Sequence, residues 1–399
     1  MSLRNILLAP AILALAPLVA RAQDVLEIVD ASGDGAGNPL TDAWGPAVDA
    51  DGNVYVSGGS SRNVFRIAPG GTVTEIIDGT GDGAGNPLLQ AREVVVDPTG
   101  NVFVLGNGSN NVFRIAPGGS ITEVMDASGD GQGNTLSGPQ GLAADHDGNV
   151  YVTGNASSNA FKISPGGVIT QILDATGDGA GHVLTLAWGI AVDTSGNVFV
   201  TGFASNNVFK VTPGGVVTEI IDGLGDSAGN TLGNPIGLAT DSAGNVFVAG
   251  LSSRNAFRVT PAGAISEIID ATGDGLGNSL DAAFGLAVTP GDDVIVTGLS
   301  SHNAFRISPS GTIKEILDIS GDGAGNSLLA PSGAAVDAFG NVYVAGRDTN
   351  NVFRIAASVV AVPILGAASQ VAVAALLFFA GTVVLRTRAR RSRSTQRAA

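Results

Sequence analysis

The sequence predicts an all-β fold, a seven-bladed β-propeller closed by an N-terminal strand. The first observation that predicts this fold is the stretch "DASGDGAGN" at Asp30, which recurs with small changes every 48 residues. Each interval also contains four short runs rich in Val, Ile, Phe and Thr, separated by Gly, Asn, Pro and Ser. Four antiparallel strands in a repeated unit of this length are typical of a propeller blade.

The fourth unit shows the four strands of one blade. The predicted strands cover residues 189–193, 198–201, 208–211 and 217–221, and their breaks suit turns with positive φ. The third strand of every unit carries a phenylalanine, which we expect to pack between blades. These residues are Phe65, Phe113, Phe161, Phe209, Phe257, Phe305 and Phe353.

The two ends of the array predict how the ring closes. The seventh unit has three strands, at residues 333–337, 342–345 and 352–355, and then lacks a fourth. The segment "DVLEIVD", Asp24–Asp30, resembles the missing strand and precedes the first complete blade. Pairing it with the last blade removes the open edges of the ring.

Residues 1–22 have the pattern of a secretory signal peptide. Arg4 precedes an apolar run from Ile6 to Val19, and Ala20-Arg21-Ala22 forms a small-x-small cleavage site. The mature chain is therefore predicted to be exported, with its propeller at residues 23–357. The absence of cysteine fits an exported protein that does not rely on disulfides.

Residues 358–385 are predicted to contain a Pro-containing motif and one C-terminal transmembrane helix. Ile364 to Leu385 is a stretch of 22 residues without a charge, which is long enough to span a bilayer. Residues 386–399 contain six arginines, and such a tail stays in the cytoplasm. The pattern predicts a membrane-anchored protein of the cell envelope, with its propeller outside.

The predicted propeller is strongly acidic. All 35 acidic residues but only 12 of the 20 Lys and Arg lie between residues 23 and 357, so this part has a net charge of −23. Such a surface argues against nucleic acid or anionic lipid as a partner of the propeller. It is compatible with divalent cations or with solubility alone.

The repeated unit "GIAVDTSGNVFVTGFASNNVFKV" resembles the NHL repeat over all seven units. The wider group is similar to the SMP-30/gluconolactonase and streptogramin-lyase propellers. The resemblance implies a propeller used mostly as a binding scaffold, with metal-dependent or histidine-based enzymes among its relatives. No matching catalytic set is found here, and Glu93 is the acid nearest the expected channel entrance.

The C-terminal segment resembles the sorting tails of Gram-negative surface proteins. These tails combine a short Pro-containing motif, an apolar helix and an arginine cluster, and the motif here is Val362 to Gly366. The resemblance implies that the tail is cut by a sorting protease after export. Otherwise the tail is a plain membrane anchor.

The "DxxGDGxGN" stretches are predicted to be the connections between blades, and they permit two interpretations. Their Asp and Ser/Thr residues match the first half of a calcium loop, but the closing acid is missing, so binding would be weak, with a Kd on the order of 10⁻⁴ to 10⁻³ M. Alternatively, they are turns whose Asp and Ser cap backbone NH groups. The candidate Ca²⁺ ligands are Asp30, Ser32, Asp34, Asp78, Thr80, Asp82, Asp126, Ser128, Asp130, Asp174, Thr176, Asp178, Asp270, Thr272, Asp274, Asp318, Ser320 and Asp322.

Two positions of the repeat vary while most are nearly uniform, and both are expected at the channel mouth on the face of these loops. The first position, where each inner strand begins, holds Trp44, Arg92, Gln140, Trp188, Ile236, Phe284 and Ser332. The second, after the glycine of each second strand, holds Gly59, Asn107, Asn155, Phe203, Leu251, Leu299 and Arg347. The variation permits an asymmetric ligand site, and the alternative is drift at exposed positions.

Three functions remain open from the sequence. The first is an exported, membrane-tethered scaffold that binds a protein or glycan at the cell surface through Trp44, Arg92, Gln140, Trp188 and Phe284. The second is a metal-dependent hydrolase or lyase. The third is a structural surface protein without a specific ligand.

Overall fold

The computed structural model describes residues 24–357. Within this range the chain forms 28 strands, arranged in seven antiparallel sheets of four strands each. The range contains no helix that is long and apolar enough to cross a membrane. The predicted signal peptide, transmembrane helix and arginine-rich tail lie outside the described residues. The predicted all-β seven-bladed propeller is confirmed.

The first four blades follow one another along the chain, and each runs from an inner to an outer strand. Their strands are β2 (Ala43–Val48), β3 (Val54–Gly58), β4 (Asn63–Ile67) and β5 (Val73–Ile77); β6 (Ala91–Val96), β7 (Val102–Gly106), β8 (Asn111–Ile115) and β9 (Ile121–Met125); β10 (Pro139–Ala144), β11 (Val150–Gly154), β12 (Asn159–Ile163) and β13 (Ile169–Leu173); and β14 (Ala187–Val192), β15 (Val198–Gly202), β16 (Asn207–Val211) and β17 (Val217–Ile221).

The last three blades repeat this order, except that the seventh takes its outer strand from the start of the chain. Their strands are β18 (Pro235–Thr240), β19 (Val246–Gly250), β20 (Asn255–Val259) and β21 (Ile265–Ile269); β22 (Ala283–Val288), β23 (Val294–Gly298), β24 (Asn303–Ile307) and β25 (Ile313–Leu317); and β26 (Pro331–Val336), β27 (Val342–Gly346), β28 (Asn351–Ile355) and β1 (Val25–Val29).

The ring closes through the pairing of β1 with β28, as the sequence predicts. The two strands are antiparallel, and Val25 lies opposite Ile355. The side-chain amide of Asn351 donates a hydrogen bond of 2.7 Å to Glu27 Oε1. The same Asn–Glu pair joins the third and fourth strands of blades 1, 2, 4, 5 and 6. The N-terminal strand therefore substitutes for an outer strand in its side-chain contacts as well as in its backbone pairing.

The core lies between the blades. Each of the seven third-strand phenylalanines is fully buried, and it packs against residues of its own blade and of the preceding one. Phe209, for example, belongs to a cluster with Val198 of its own blade and Tyr151 of the third blade. Burial of a side chain of this size contributes about 2–3 kcal/mol to the free energy of unfolding. The predicted packing role is confirmed.

The inner strands begin two residues earlier than predicted in the fourth and seventh blades. In the fourth blade β14 starts at Ala187, whereas the sequence predicts residue 189. The reason is a β-bulge: Ala187 pairs with Gly202 and Ile190 pairs with Val200, so three steps on β14 match two on β15. Every inner strand shows such a register shift near its start. A prediction based on strict alternation of residues cannot detect this extra residue.

Replacement of Phe209 by alanine should lower the free energy of unfolding by about 3–5 kcal/mol, because it leaves a cavity between two blades. The matched control is Val216→Ala, since Val216 is 61% exposed in the same blade and its change should stay within about 0.5 kcal/mol. Denaturant unfolding of both variants measures the difference. Equal stabilities would contradict the assigned packing role.

Candidate functional site: the mouth of the central channel

The inter-blade connections and the hairpins between second and third strands lie on the same face, here called the loop face. In the first blade Asn63 donates from its side chain to the carbonyl oxygen of Pro39 at 3.1 Å, and Ser61 Oγ accepts from the backbone NH of Thr41 at 3.0 Å. Corresponding Asn contacts recur in every blade. The sequence-predicted placement of these loops is therefore seen in the structure.

The bulge at the start of each inner strand aims two successive residues at the channel. These residues form two rings around one cavity of about 100 Å³. One position further along the strands, the same cavity is also lined by Leu142, Ile190, Leu238, Leu286 and Ala334. The upper ring consists of Trp44, Arg92, Gln140, Trp188, Ile236, Phe284 and Ser332. The lower ring consists of Gly45, Glu93, Gly141, Gly189, Gly237, Gly285 and Gly333.

The upper ring is apolar on one side. Trp44, Ile236 and Phe284 are 8%, 4% and 8% exposed and form one cluster. The ring centroids of Trp44 and Phe284 are 6.0 Å apart at an angle of 55°, a common geometry for aromatic pairs. Phe203 packs on Trp188 with centroids 5.2 Å apart. These side chains are therefore packed on one another, and little of Trp44 or Phe284 faces solvent.

The upper ring is polar over the second and third blades. Arg92 Nη1 donates a hydrogen bond of 2.7 Å to Gln140 Oε1. The guanidinium of Arg92 also lies 4.4 Å from the centroid of the Trp44 ring, and that of Arg347 lies 5.7 Å from it. Burial lowers the pKa of Arg92, and the nearby charge of Asp42 opposes this shift. Both guanidinium groups are held by cation–π contacts at the channel mouth.

The lower ring consists of glycines in every blade but the second, because the inner strands approach one another closely there. A Cβ built on Gly189 would overlap the carbonyl oxygen of Ile236 in the next blade, and one built on Gly285 would lie 2.8 Å from Gly333 Cα. In the second blade the same position is Glu93. The lower ring therefore contains one side chain, and this side chain is ionisable.

The carboxyl group of Glu93 lies against Gly45 of the first blade. A Cβ on Gly45 would be 2.7 Å from both carboxyl oxygens. Among residues 24–357 no hydrogen bond or ion pair is found for this carboxyl group. Desolvation raises the pKa of Glu93 to about 7, since nothing nearby compensates the charged form. Its protonation therefore changes near neutral pH.

The loops that lead into the upper ring are fixed by contacts between neighbouring blades. The residue two positions before each upper-ring member has a positive φ, as in Leu186 at 55° and Ala282 at 55°. Such values are costly for residues with a Cβ and need support from their surroundings. The backbone NH of Leu186, for example, donates to Ser158 Oγ of the third blade at 3.0 Å. The channel mouth is thus built on a constrained backbone.

The candidate calcium residues of the inter-blade loops form hydrogen-bonded turns. Asp30 Oδ1 accepts from the backbone NH of Ser32 at 2.8 Å and from its hydroxyl at 2.5 Å. Asp34 accepts from the backbone NH of Ala36 at 2.9 Å and from Asn38 Nδ2 at 2.8 Å. The other six loops repeat most of these contacts. These carboxylates therefore cap backbone groups, as the turn interpretation expects.

Six of the seven outer strands bring a further carboxyl group to their junction, which the sequence analysis missed; the third blade has Gln171 there. Burial raises the pKa of Glu75, and the charges of Asp78 and Asp34 raise it further. The pKa of Glu123 is raised in the same way, by burial and by the charges of Asp126 and Asp82. Even so, residues 24–357 contain no group of three or more His, Asp or Glu side chains placed to hold a metal ion. Calcium binding stays a prediction.

The fourth loop differs from the others by a histidine. His182 stands where the other loops have asparagine, and its Nδ1 lies 2.7 Å from Asp178 Oδ2. Its Nε2 lies 3.7 Å from Glu219 Oε2. The hydrogen bond with Asp178 raises the pKa of His182, and the charge of Glu219 adds to the shift. Protonated His182 therefore bridges two carboxylates at this junction.

The comparisons with known proteins agree with this architecture. A repeat family described as "Beta-propeller repeat" matches residues 131–162. A search of curated proteins finds no match. Among solved structures, virginiamycin B lyase from Staphylococcus aureus is 16% identical with a TM-score of 0.65, and the alignment covers 84% of this chain and 99% of the lyase. The chain shares the propeller fold of the streptogramin-lyase-like group. The resemblance found in the sequence is confirmed at the level of the fold.

Other solved structures with this fold have different roles. YCF48 bound to D1 peptide is 11% identical with a TM-score of 0.58, and the alignment covers 87% of this chain and 99% of YCF48. Hydrazine synthase of Kuenenia stuttgartiensis is 16% identical with a TM-score of 0.60, covering 80% of this chain and 97% of that one. The fold alone therefore does not decide between binding and catalysis.

The structure brings together the sequence-predicted residues Trp44, Arg92, Gln140, Trp188 and Phe284 around one cavity. The sequence analysis noted Glu93 only as an isolated acid, and it missed the lower ring. The signal was present, since one Glu occupies a position that is glycine in the other six repeats. The sequence does not reveal the bulge, and it is the bulge that places this position in the channel.

The His182→Asn variant should reveal a pH-dependent contribution from the fourth loop. A raised pKa in the folded state means that protonated His182 stabilises the fold below its ordinary pKa of 6.5, and this stabilisation is lost as pH rises through the raised pKa. The melting temperature of the native protein relative to the variant should therefore be highest near pH 5.5 and fall by pH 8.5. A constant difference would contradict the bridging role.

Proposed function

We propose that the protein is an exported binding scaffold that holds a protein partner at the mouth of its channel on the loop face. The variable residues of an otherwise uniform repeat converge there, and this observation carries the proposal. Both tryptophans of the sequence, Trp44 and Trp188, are among them. Drift at exposed positions is a poor account of Trp44, Ile236 and Phe284, because these side chains are buried against one another.

The size of the cavity restricts how the partner binds. A volume of about 100 Å³ is below the several hundred Å³ typical of pockets that enclose a whole small molecule. It suits one inserted side chain or chain end, while the rest of the partner lies across the loop face. Gln140 and Arg92 would supply polar contacts at the mouth, and Trp188 would supply a partly exposed apolar surface.

Export and membrane attachment belong to the same proposal. They are supported by the signal-peptide pattern of residues 1–22, the apolar stretch from Ile364 to Leu385 and the arginines that follow it. Part of an extracellular domain from B. thetaiotaomicron has a similar fold at 13% identity with a TM-score of 0.56, and the alignment covers 83% of this chain and 39% of that one. The propeller would then lie outside the cytoplasm, where a partner at the cell surface can reach the loop face.

A display library of linear peptides, selected on the purified protein, tests the proposed site. Peptides that change the tryptophan fluorescence should bind at least about tenfold more weakly to the Trp44→Ala/Trp188→Ala variant, since truncation of central aromatic contacts typically costs 1–2 kcal/mol or more. The matched control is Phe339→Ala. Phe339 is 82% exposed in the turn after Asp337, which is not part of the loop face.

Two outcomes would contradict the proposed site. One is a set of peptides whose affinity falls equally with Phe339→Ala and with the double tryptophan variant. The other is binding that neither variant changes. Because Trp44 also packs on Phe284, thermal unfolding must show that the double variant is folded. Selection from a glycan array with the same variants distinguishes a glycan ligand from a protein partner.

Weak calcium binding in the inter-blade loops is a separate proposal. It is supported by the pKa of Glu123, which burial raises and the charges of Asp126 and Asp82 raise further, because a cation at this junction would offset those charges. Millimolar Ca²⁺ should then raise the melting temperature of the purified protein relative to a chelator, as a ligand with a Kd near 10⁻³ M would. Equal melting temperatures with Ca²⁺ and with chelator would contradict calcium binding and favour the turn interpretation of these loops.

A further inference from the structure

The side chain of Glu93 is the one feature of the lower ring that the repeat architecture does not require. The other six blades build the same position with glycine, so a side chain here is not needed for packing. The carboxyl group lies over Gly45 and lines the central cavity. No hydrogen-bonding or cationic partner is found for it among residues 24–357. An unpaired carboxyl group in a narrow channel is costly when ionised.

Several backbone groups of the lower ring are already engaged within the fold. The backbone NH groups of Gly141, Gly189 and Gly285 already donate to the hydroxyls of threonines on the second strands, at 2.7–2.9 Å. The carbonyl oxygen of Trp188 lies 2.5 Å from where a Cβ on Gly141 would be, and it accepts a hydrogen bond of 2.6 Å from Thr153 Oγ1. The carboxyl group of Glu93 has no such partner, so a group that binds beside it must be a hydrogen-bond donor.

The nearest cation is Arg92, on the same strand, and it is engaged elsewhere. Its guanidinium stacks on Trp44 and donates to Gln140 in the upper ring, and no ion pair with Glu93 is found among residues 24–357. Arg347 and Asp42 both interact electrostatically with Arg92, and Arg347 Nε also donates to Asp348 Oδ1 at 2.9 Å. A ligand that reaches Glu93 must therefore pass a mixed rim of positive and negative charge.

We propose that the carboxyl group of Glu93 binds a primary ammonium group, presented by a lysine side chain or by the amino terminus of the partner. A primary ammonium group has one positive charge and N–H donors, which matches a carboxylate that has no other partner. A divalent cation prefers more carboxylates than the single one present here. The inference rests on the proposed function, because it specifies the group that the partner inserts at the channel mouth.

Binding of an ammonium group requires the ionised form of Glu93, so it competes with protonation. Glu93 is the ionisable group of the lower ring, and Arg92, Arg347 and Asp42 lie at the mouth above it. Arg92 stays charged throughout the neutral range. Since desolvation raises the pKa of Glu93 to about 7, affinity for the ammonium group should increase as pH rises from 6 to 8. The change in the ionised fraction over this range is about tenfold.

Titration of the full protein with n-butylammonium, followed by tryptophan fluorescence, tests the inference. We expect saturable binding that is about tenfold tighter at pH 8 than at pH 6, and no binding of the neutral analogue n-butanol. Glu93→Gln should abolish binding. Glu93→Gly should abolish it as well, and this variant should keep its melting temperature because it restores the residue of the other six blades.

The inference is overturned if Glu93→Gln binds n-butylammonium as tightly as the native protein does, or if Mg²⁺ or Ca²⁺ binds through Glu93 and the ammonium does not. Its failure can be separated from failure of the proposed function. Peptides that need Trp44 and Trp188 but tolerate Glu93→Gly would reject the ammonium site and keep the binding face. Conversely, n-butylammonium binding through Glu93 does not depend on whether any selected peptide needs the tryptophans.

Discussion

The close approach of seven inner strands around one axis is the constraint on which the rest of the structure depends. At the lower ring it leaves no room for a Cβ in most blades, which explains the repeated glycine. A bulge lies at the start of each inner strand, and in three blades a threonine hydroxyl accepts a hydrogen bond from the backbone NH of the lower-ring glycine. The channel mouth is therefore a consequence of packing, and its chemistry comes from the few side chains that differ.

Symmetry and asymmetry occupy different parts of this molecule. The third-strand phenylalanines, the Asn–Glu pairs and the Asp turns are nearly the same in every blade, and they hold the ring together. The upper ring, in contrast, divides into an apolar side around Trp44 and Phe284 and a polar side at Arg92 and Gln140. A uniform scaffold can thus present one oriented site, because differences at a few positions do not disturb the contacts between blades.

The sequence was sufficient for the blades and the closure, since the 48-residue period places each strand and shows which one is missing. It was also sufficient to place Trp44 and Trp188 at one end of the channel. It could not show that Trp44 packs on Phe284, because the two lie in blades separated by the seventh along the ring. Nor could it show that Glu93 faces the channel, because strict alternation places successive residues on opposite faces and only the bulge brings both inward.

The closing strand also determines the order in which the fold can be completed. Glu27 meets Asn351 across 324 positions of sequence, so the ring cannot close before nearly the whole propeller has been made. Contacts of such large separation form late and slowly. Until then β1 and β28 are both unpaired edges, and edges of this kind invite pairing with other chains. β1 and its flanking residues carry three acidic side chains, Asp24, Glu27 and Asp30. Their negative charge disfavours self-association of β1 before the ring closes.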